Sequence, residues 1–326
     1  MIVFRSPAEV PHGFGPSVVA IGKFDGVHSG HRAVIDRARV AAAEAGARVV
    51  AVTFDRNPLS VLRPDLCPEP LSGVDQKLDL LAVAGVDAAL VLHFDESLAD
   101  LEPRAFVEHV LVDALGVVMV LVGDDFRFGR GGAGDPAALT ALGAEYGFDV
   151  DVVGDVQGGG RRVSSSWVRD LLAAGDVEDA ARLLGRPHAV QGEVVHGLKR
   201  GRELGFPTAN LSPDAEGFIP ADGVYAGWLV DLGPLTATAP MPPDAAIAVT
   251  RYPAAISVGT NPTFDDVHAR QVEAYVLDET HLDLYGHRVQ VQFTHRIRGM
   301  VAFEGIERLI AQMTDDVDRV RQALRA

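Results

Sequence analysis

Gly22-Lys23-Phe24-Asp25-Gly26-Val27-His28-Ser29-Gly30-His31 stands between a Val-rich run, Val18–Gly22, and a helical pattern, His31–Ala45. A strand that feeds a glycine-rich turn and then a helix is the opening unit of a parallel α/β sheet. In such a sheet the turn lies at the carboxyl edge, where ligands bind. Amides at the start of a helix lack intrahelical partners and the dipole is positive there, so the turn favours an anion. Histidines three apart in a first helical turn face the same side. His28 and His31 can therefore converge on one anion and stabilise charge that develops on phosphoryl oxygens. Gly22, Gly26 and Gly30 let the backbone approach closely. Taken alone, the same residues also fit a glycine-rich turn with two exposed histidines.

Outward from this turn, strand-like runs at Val18–Gly22, Arg48–Phe54, Ala88–Leu92, Val117–Val122 and Asp149–Val153 alternate with helical patterns at His31–Ala45, Val74–Ala84, Pro103–Leu115 and Pro136–Tyr146. The alternation predicts a doubly wound parallel sheet. Asp135 before Pro136 reads as an N-cap with proline at the first helical position, and Gly185 followed by Pro187 stops a helix. The first domain is thus expected over 1–186 and the second over 187–326. Past Pro187 the runs Ala189–Val195, Gly223–Leu232, Ala245–Val249, Ala254–Val258, Val272–Leu277 and Val289–His295 lie between Gly, Pro and Asn turns, which predicts a small antiparallel β-barrel. Gly233 to Asp244 reads as a long surface hairpin loop. Ile306, Leu309, Ile310, Met313, Val317, Val320 and Leu324 share one helical face and predict a closing amphipathic helix at the C-terminus.

The chain has 326 residues, 48% hydrophobic and 23% charged, enough for two domains that each bury a core. Its net charge of −16 opposes the basic footprint of a protein that holds a nucleic-acid backbone, so no nucleic-acid partner is expected. Small phosphorylated ligands remain compatible, because a site needs only a few local donors. Cys67 is the single cysteine, which fits a reducing, cytoplasmic setting. Met1 to Gly15 contains no long apolar stretch, and Val117–Val122 is too short to cross a bilayer, so no membrane association is expected.

The ten-residue turn resembles the HxGH signature of the nucleotidyltransferases, and in its longer form, G-x-F-D-G-V-H-x-G-H, the FAD synthetase part of bacterial bifunctional riboflavin kinase/FAD synthetases. Three later segments match that family in order. Thr53-Phe54-Asp55-Arg56-Asn57-Pro58 stands where the family usually has T-F-x-P-H-P, with Arg56 and Asn57 replacing the proline and histidine. Gly123-Asp124-Asp125-Phe126-Arg127-Phe128-Gly129 is similar to V-G-x-D/N-F-x-F-G, and Ser164-Ser165-Ser166-Trp167-Val168-Arg169 to S-S-T-x-I-R. The resemblance implies a Rossmann-like nucleotidyltransferase domain that transfers AMP from ATP to FMN. In it His28, His31 and Arg169 are catalytic, Phe24, Asp25, Asp125, Ser164, Ser165 and the turn glycines hold nucleotide, and Phe54, Phe126 and Phe128 face flavin. Without the family, Phe126 and Phe128 fit packing under their loop, and the serines an ordinary N-cap.

The barrel opens with Gly192-Glu193-Val194-Val195-His196-Gly197-Leu198-Lys199-Arg200-Gly201-Arg202-Glu203-Leu204-Gly205-Phe206-Pro207-Thr208-Ala209-Asn210, a basic loop in an acidic chain suited to nucleotide phosphates, or otherwise a solvated surface loop. G-R-x-L-G-F-P-T-A-N within it resembles the riboflavin kinase module. So do Gly223-Val224-Tyr225-Ala226-Gly227, Val258-Gly259-Thr260-Asn261-Pro262-Thr263-Phe264, Val272-Glu273-Ala274-Tyr275, Leu284-Tyr285-Gly286 and the Arg298 region. This resemblance implies a Greek-key barrel with a C-terminal helix that makes FMN from riboflavin and ATP. It implies nucleotide contacts from Gly192, Gly197, Lys199, Gly201, Arg202, Pro207 and Thr208, Mg²⁺ on Thr208 and Asn210, flavin contacts from Tyr225 and Arg298, and Glu273 as general base. A strand glutamate alone is usually just solvent-facing. Two alternatives stay open: a nucleotidyltransferase with another acceptor, and a flavin or nucleotide sensor or single-activity homologue with an impaired N-terminal site. The sequence leaves the oligomeric state open.

Overall fold

The computed structural model describes residues 1–197, 204–235, 250–260, 270–279, 282–301 and 305–325. They form two compact units, Met1–Pro70 with Val74–Ser165, and Leu71–Gly73 with Ser166–Ala326. Lys199, Gly201 and Arg202, the run expected at 245–249 and the motif residues 261–264 lie outside the described residues.

In the first unit a six-stranded parallel sheet contains β1 (Ile2–Phe4), β2 (Ser17–Ile21), β3 (Arg48–Phe54), β4 (Ala88–Leu92), β5 (Val117–Gly123) and β6 (Asp149–Val153), in the order β1-β4-β3-β2-β5-β6. The strand order reverses at β2, so the turn after it lies at the topological switch point. β2 is buried along its whole length: Val18 and Ala20 enter one core cluster, Val19 and Ile21 the other. That is the signature of a sheet covered on both faces. Helix α1 (Ser29–Ala45) packs Ile35, Ala38 and Ala42 on one face and ends at Gly46 in the left-handed conformation. A short α2 (Leu59–Leu62) follows β3, and α3 (Val74–Val83) precedes β4. α4 (Glu96–Ala99) follows β4. The helix expected over Pro103–Leu115 begins as α5 (Pro103–Phe106) and continues as a π-helix over Val107–Ala114, which keeps Phe106, Val107, Val110 and Leu111 in the core. α6 (Pro136–Tyr146) starts as anticipated, with Asp135 accepting the Ala138 N–H at 2.8 Å. β1, a three-residue edge strand, carries too short a pattern to be legible in the sequence.

The second unit is a closed antiparallel barrel of short and long strands. These are βA (His188–Val195), βB (Thr208–Leu211), βC (Gly223–Pro234), βD (Thr250–Thr260), βE (Arg270–Val276) and βF (His287–Arg298), in the order βB-βE-βD-βC-βF-βA. Three hairpin-linked strands with a fourth returning beside the first make a Greek key. Tyr225, Ile256, Ala274, Val291 and Phe293 have no exposed surface and fill the interior. On the outer face Ala226, Ala255 and Tyr275 pack with Val317 and Val320 of the C-terminal helix Ile306–Arg325. Helices α7 (Ser165–Ala174) and α8 (Val177–Leu184) group with this unit beyond Ser165. Arg296 of βF donates to the Ala174 carbonyl at 2.6 Å, and its own N–H donates to the Glu178 carboxylate at 3.1 Å.

Candidate functional site

The turn Gly22–His31 is held in an unusual conformation. Phe24 and Val27 have φ of 49° and 40°, a region that side-chain-bearing residues avoid and β-branched ones avoid most, and Gly26 has φ of 76°. Burial compensates the strain: Phe24 and Val27 are 1% and 2% exposed. His28 caps α1, its Nδ1 accepting the His31 N–H at 3.4 Å, and the two imidazoles stack with centroids 3.7 Å apart. The edge of the Phe24 ring meets His31 at 5.3 Å. A Cβ on Gly30 would lie 3.1 Å from the His28 ring, so glycine there makes room for the imidazole. Ser165 Oγ donates to the Asp25 carbonyl at 3.0 Å.

His31 Nδ1 is sealed from solvent without a hydrogen-bond partner among the described residues, while the residue as a whole is half-buried. Burial, then the charges on His28, Lys23 and Lys77, hold this imidazole well below its ordinary pKa. His31 is therefore neutral at pH 7. Lys77 was not singled out by any motif. It is 8% exposed, and its Nζ donates to the Phe54 carbonyl at 2.7 Å and to the Lys23 carbonyl at 3.4 Å. Burial lowers it to about 8, against the carboxylates of Asp25 and Asp55. One sequence signal could have found it: with Val74, Leu78 and Leu81 it occupies the i, i+3, i+4, i+7 stripe of α3, where an apolar residue is expected.

The two residues that depart from the usual motif have local roles. Asn57 Oδ1 accepts the Leu59 N–H at 3.1 Å at the entry to α2, and Arg56 pairs with Asp55. Burial alone would raise the Asp55 carboxyl. The Phe94 N–H, His93 and Arg56 together hold it below its ordinary value. Phe54 meets Phe94 edge to face, and Phe126 is half-buried and stacked on Phe128 at 5.4 Å. The expectation that the Phe128 ring faces flavin meets a core residue, 7% exposed and packed on Phe106. Asp125 is exposed and paired with Arg162 at 2.8 Å. Ser164 and Arg169 are half-buried at the start of α7.

In the barrel, βB and βE bring the expected kinase residues together. Asn210 is in register with Glu273, and Thr208 Oγ1 donates to Glu273 Oε2 at 3.3 Å. Asn210 Nδ2 donates to Thr208 Oγ1 at 3.2 Å. The buried neighbours Val272, Ala274 and Val276 point inward, so Glu273 lies on the outer face. Burial raises the Glu273 carboxyl above its ordinary value, although the Thr208 hydroxyl acts against this. A Cβ on Gly197 would strike the Asn210 amide at 2.6 Å, so the chain approaches that side chain only as glycine. Pro207 is half-buried just ahead of Thr208.

Three expected contacts have other partners here. Tyr225 has no exposed surface, and its hydroxyl donates to the Ala221 carbonyl just ahead of βC. Arg298 makes a two-pronged pair with Asp316 of the C-terminal helix, Nη2 to Oδ2 at 2.7 Å and Nε to Oδ1 at 2.9 Å. Gly192 makes room for Ala215, whose Cβ would lie 3.0 Å from an added Cβ.

Residues 11–167 match the FAD synthetase family model, and residues 184–324 match the riboflavin kinase model. Bifunctional riboflavin kinase/FMN adenylyltransferases are similar over nearly the whole chain. The Escherichia coli K12 protein is 38% identical over 92% of this chain and 90% of its own length. The Listeria monocytogenes protein is 35% identical over 93% and 91%. A crystal structure described as a macrolide-efflux protein from Streptococcus pneumoniae superposes with a TM-score of 0.83 at 29% identity, covering 98% of each chain. Among the described residues of the present chain no helix is long and apolar enough to cross a membrane. With both family models matched in order and relatives alike over its length, the chain belongs to the bifunctional riboflavin kinase/FMN adenylyltransferases, which phosphorylate riboflavin to FMN and adenylylate FMN to FAD.

Proposed function

We propose that the two reactions divide between residues 1–186 and 187–326, with the His28/His31 turn serving adenylyl transfer and the Thr208/Asn210/Glu273 cluster serving phosphorylation. The observation that supports this division is that each unit holds one perturbed titratable group beside a closely approaching glycine: His31 in the turn of α1 that contains Gly30, and Glu273 in register with Asn210, against which Gly197 lies.

In the barrel, Glu273 takes the proton of the riboflavin 5′-hydroxyl. The freed oxygen attacks the γ-phosphorus of ATP, the bond to the β,γ-bridging oxygen breaks, and ADP leaves. A raised carboxyl pKa makes Glu273 a stronger base for that step. The hydroxyl of Thr208 and the amide carbonyl of Asn210 are hard oxygen donors beside a carboxylate, a set that fits Mg²⁺ held in part by nucleotide and water. When bound, that ion would neutralise phosphate charge. Lys199, Gly201 and Arg202 of the basic loop are assigned to the nucleotide phosphates.

In the first unit an oxygen of the FMN phosphate attacks the α-phosphorus of ATP and pyrophosphate leaves. The attacking group already carries a lone pair and negative charge, so no protein base is needed. His28, His31 and Arg169 then act by positioning and by stabilising charge on the α-phosphate oxygens. Phe54 and Phe126 are the aromatic surfaces assigned to flavin. A single unpaired cysteine, Cys67, supports a cytoplasmic setting.

The test is separation of riboflavin, FMN and FAD after incubation with ATP and Mg²⁺. Glu273→Gln should lower FMN formation by about 10²-fold or more and leave FMN-to-FAD conversion intact, and His28→Ala should do the reverse. Loss of both activities in both variants, with folding intact, would show the division of labour to be wrong.

A further inference from the structure

Lys77 is a buried cation that neither proposed reaction uses. Among the described residues no carboxylate forms an ion pair with it; its ammonium donates instead to two carbonyls from different segments. One is Phe54, at the end of β3, and the other is Lys23, at the head of the strained turn. The Lys23 carbonyl also receives the Thr53 hydroxyl at 3.2 Å, so the β3 end and the turn are cross-tied at adjacent residues. Burying an ammonium costs stability even when two carbonyls accept it, and a Leu or Met would suit the apolar α3 stripe better. Charge at this position thus has a use other than packing. The titratable groups facing His31 are His28, Lys23 and Lys77, and those facing Lys77 are Asp25 and Asp55.

We propose that Lys77 is a positioning residue for adenylyl transfer: it clamps the end of β3 to the Gly22–His31 turn and keeps a fixed positive charge beside His31. The proposal rests on the assignment of that turn to FMN adenylylation. Two consequences separate it from mere packing. Without the clamp, the Lys23 carbonyl keeps only the Thr53 hydroxyl among the described residues, the next tie to β3 being the Gly22 N–H to the Val52 carbonyl at 3.0 Å, and the histidine pair is aligned less firmly. Without the charge, protonated His31 is less disfavoured, so its titration midpoint moves up.

The experiment compares the full-length wild type with Lys77→Met, Lys77→Gln and Lys77→Arg. It measures FMN-to-FAD conversion, riboflavin-to-FMN conversion, and the titration of His31 by NMR on ring-labelled histidine, assigned with His31→Gln. Lys77→Met and Lys77→Gln should lower kcat for FAD formation by about tenfold or more, and should raise the His31 midpoint. Lys77→Arg keeps the charge and should restore the midpoint and most of the rate. Riboflavin phosphorylation should stay within about twofold throughout, because its residues lie in the other unit. If Lys77→Met does not fold, the contrast between Lys77→Gln and Lys77→Arg decides. An unchanged His31 midpoint in folded Lys77→Gln overturns the proposal, whatever the rate. A wild type that makes FMN but no FAD overturns the functional assignment of the turn instead.

Discussion

Gly30 shows how closely single residues are set around the histidine pair. An added Cβ would sit 3.1 Å from Cε1 and Nδ1 of His28, closer than ordinary contact. Gly30→Ala should therefore displace the capping imidazole and lower FAD formation by about 10- to 100-fold, leaving riboflavin phosphorylation unchanged. Assaying both conversions on one preparation checks this, and parallel loss of both would point to misfolding. Asn57 illustrates the converse. It departs from the usual motif, yet its side chain accepts the Leu59 N–H and so has a structural task of its own at the entry to α2.

Among the elements, the C-terminal helix depends on a charge pair as well as on its apolar face. Asp316 is 4% exposed and receives Arg298 by two nitrogens, while Gln312 donates to it at 3.0 Å. Arg319 adds a bond to the Ile297 carbonyl at 2.6 Å. Removing one partner of a buried pair strands the other charge, so Arg298→Met should cost about 3–5 kcal/mol in denaturant unfolding of the barrel. The double variant Arg298→Met with Asp316→Leu should recover much of that loss, because no charge is then left unpaired. A single variant with unchanged stability would mean that the pair is well solvated. The helix covers Ala226, Ala255 and Tyr275, and Tyr275 stands on the same strand face as Glu273, so the pair supports the ground on which the proposed base stands.

For the molecule as a whole, acid stability is where the buried histidines count. His188 is 3% exposed, stacked on Phe293, and donates from Nε2 to the Phe218 carbonyl at 2.6 Å. Burial lowers its pKa to about 4 against an ordinary 6.5, despite the Phe218 bond. The folded state then binds fewer protons than the unfolded chain between those values. Stability from this group is full above about pH 6.5, declines as pH falls, and levels off near pH 4 after a loss of about 3 kcal/mol. His188→Gln should flatten the fall in barrel stability between pH 6.5 and 4, measured by urea unfolding at several pH values. An equally steep fall in the variant would assign the acid sensitivity to other groups. His31, also held well below its ordinary pKa, adds to the same trend in the first unit.

Periodicity and turn chemistry settled most of the fold from the sequence. β3, β4, β6 and α6 occupy the anticipated residues, because each is a local pattern bounded by Gly, Pro or Asp. His28 with His31, and Thr208 with Asn210 and Glu273, were singled out by motif resemblance, and the structure brings each group together. Tertiary structure alone decided what depends on neighbours distant in the chain. βB was hidden inside the Pro207–Asn210 motif, and its strand character comes from pairing with βE some sixty residues later. Tyr225, Phe128 and Arg298 share residue types with ligand contacts, and only packing shows which protein partners they have: the Ala221 carbonyl, the Phe106 ring and Asp316. Lys77 is the opposite case: a charge in the apolar stripe of α3 marks the position as unusual, but only the convergence of the Phe54 and Lys23 carbonyls on its ammonium places it at the turn.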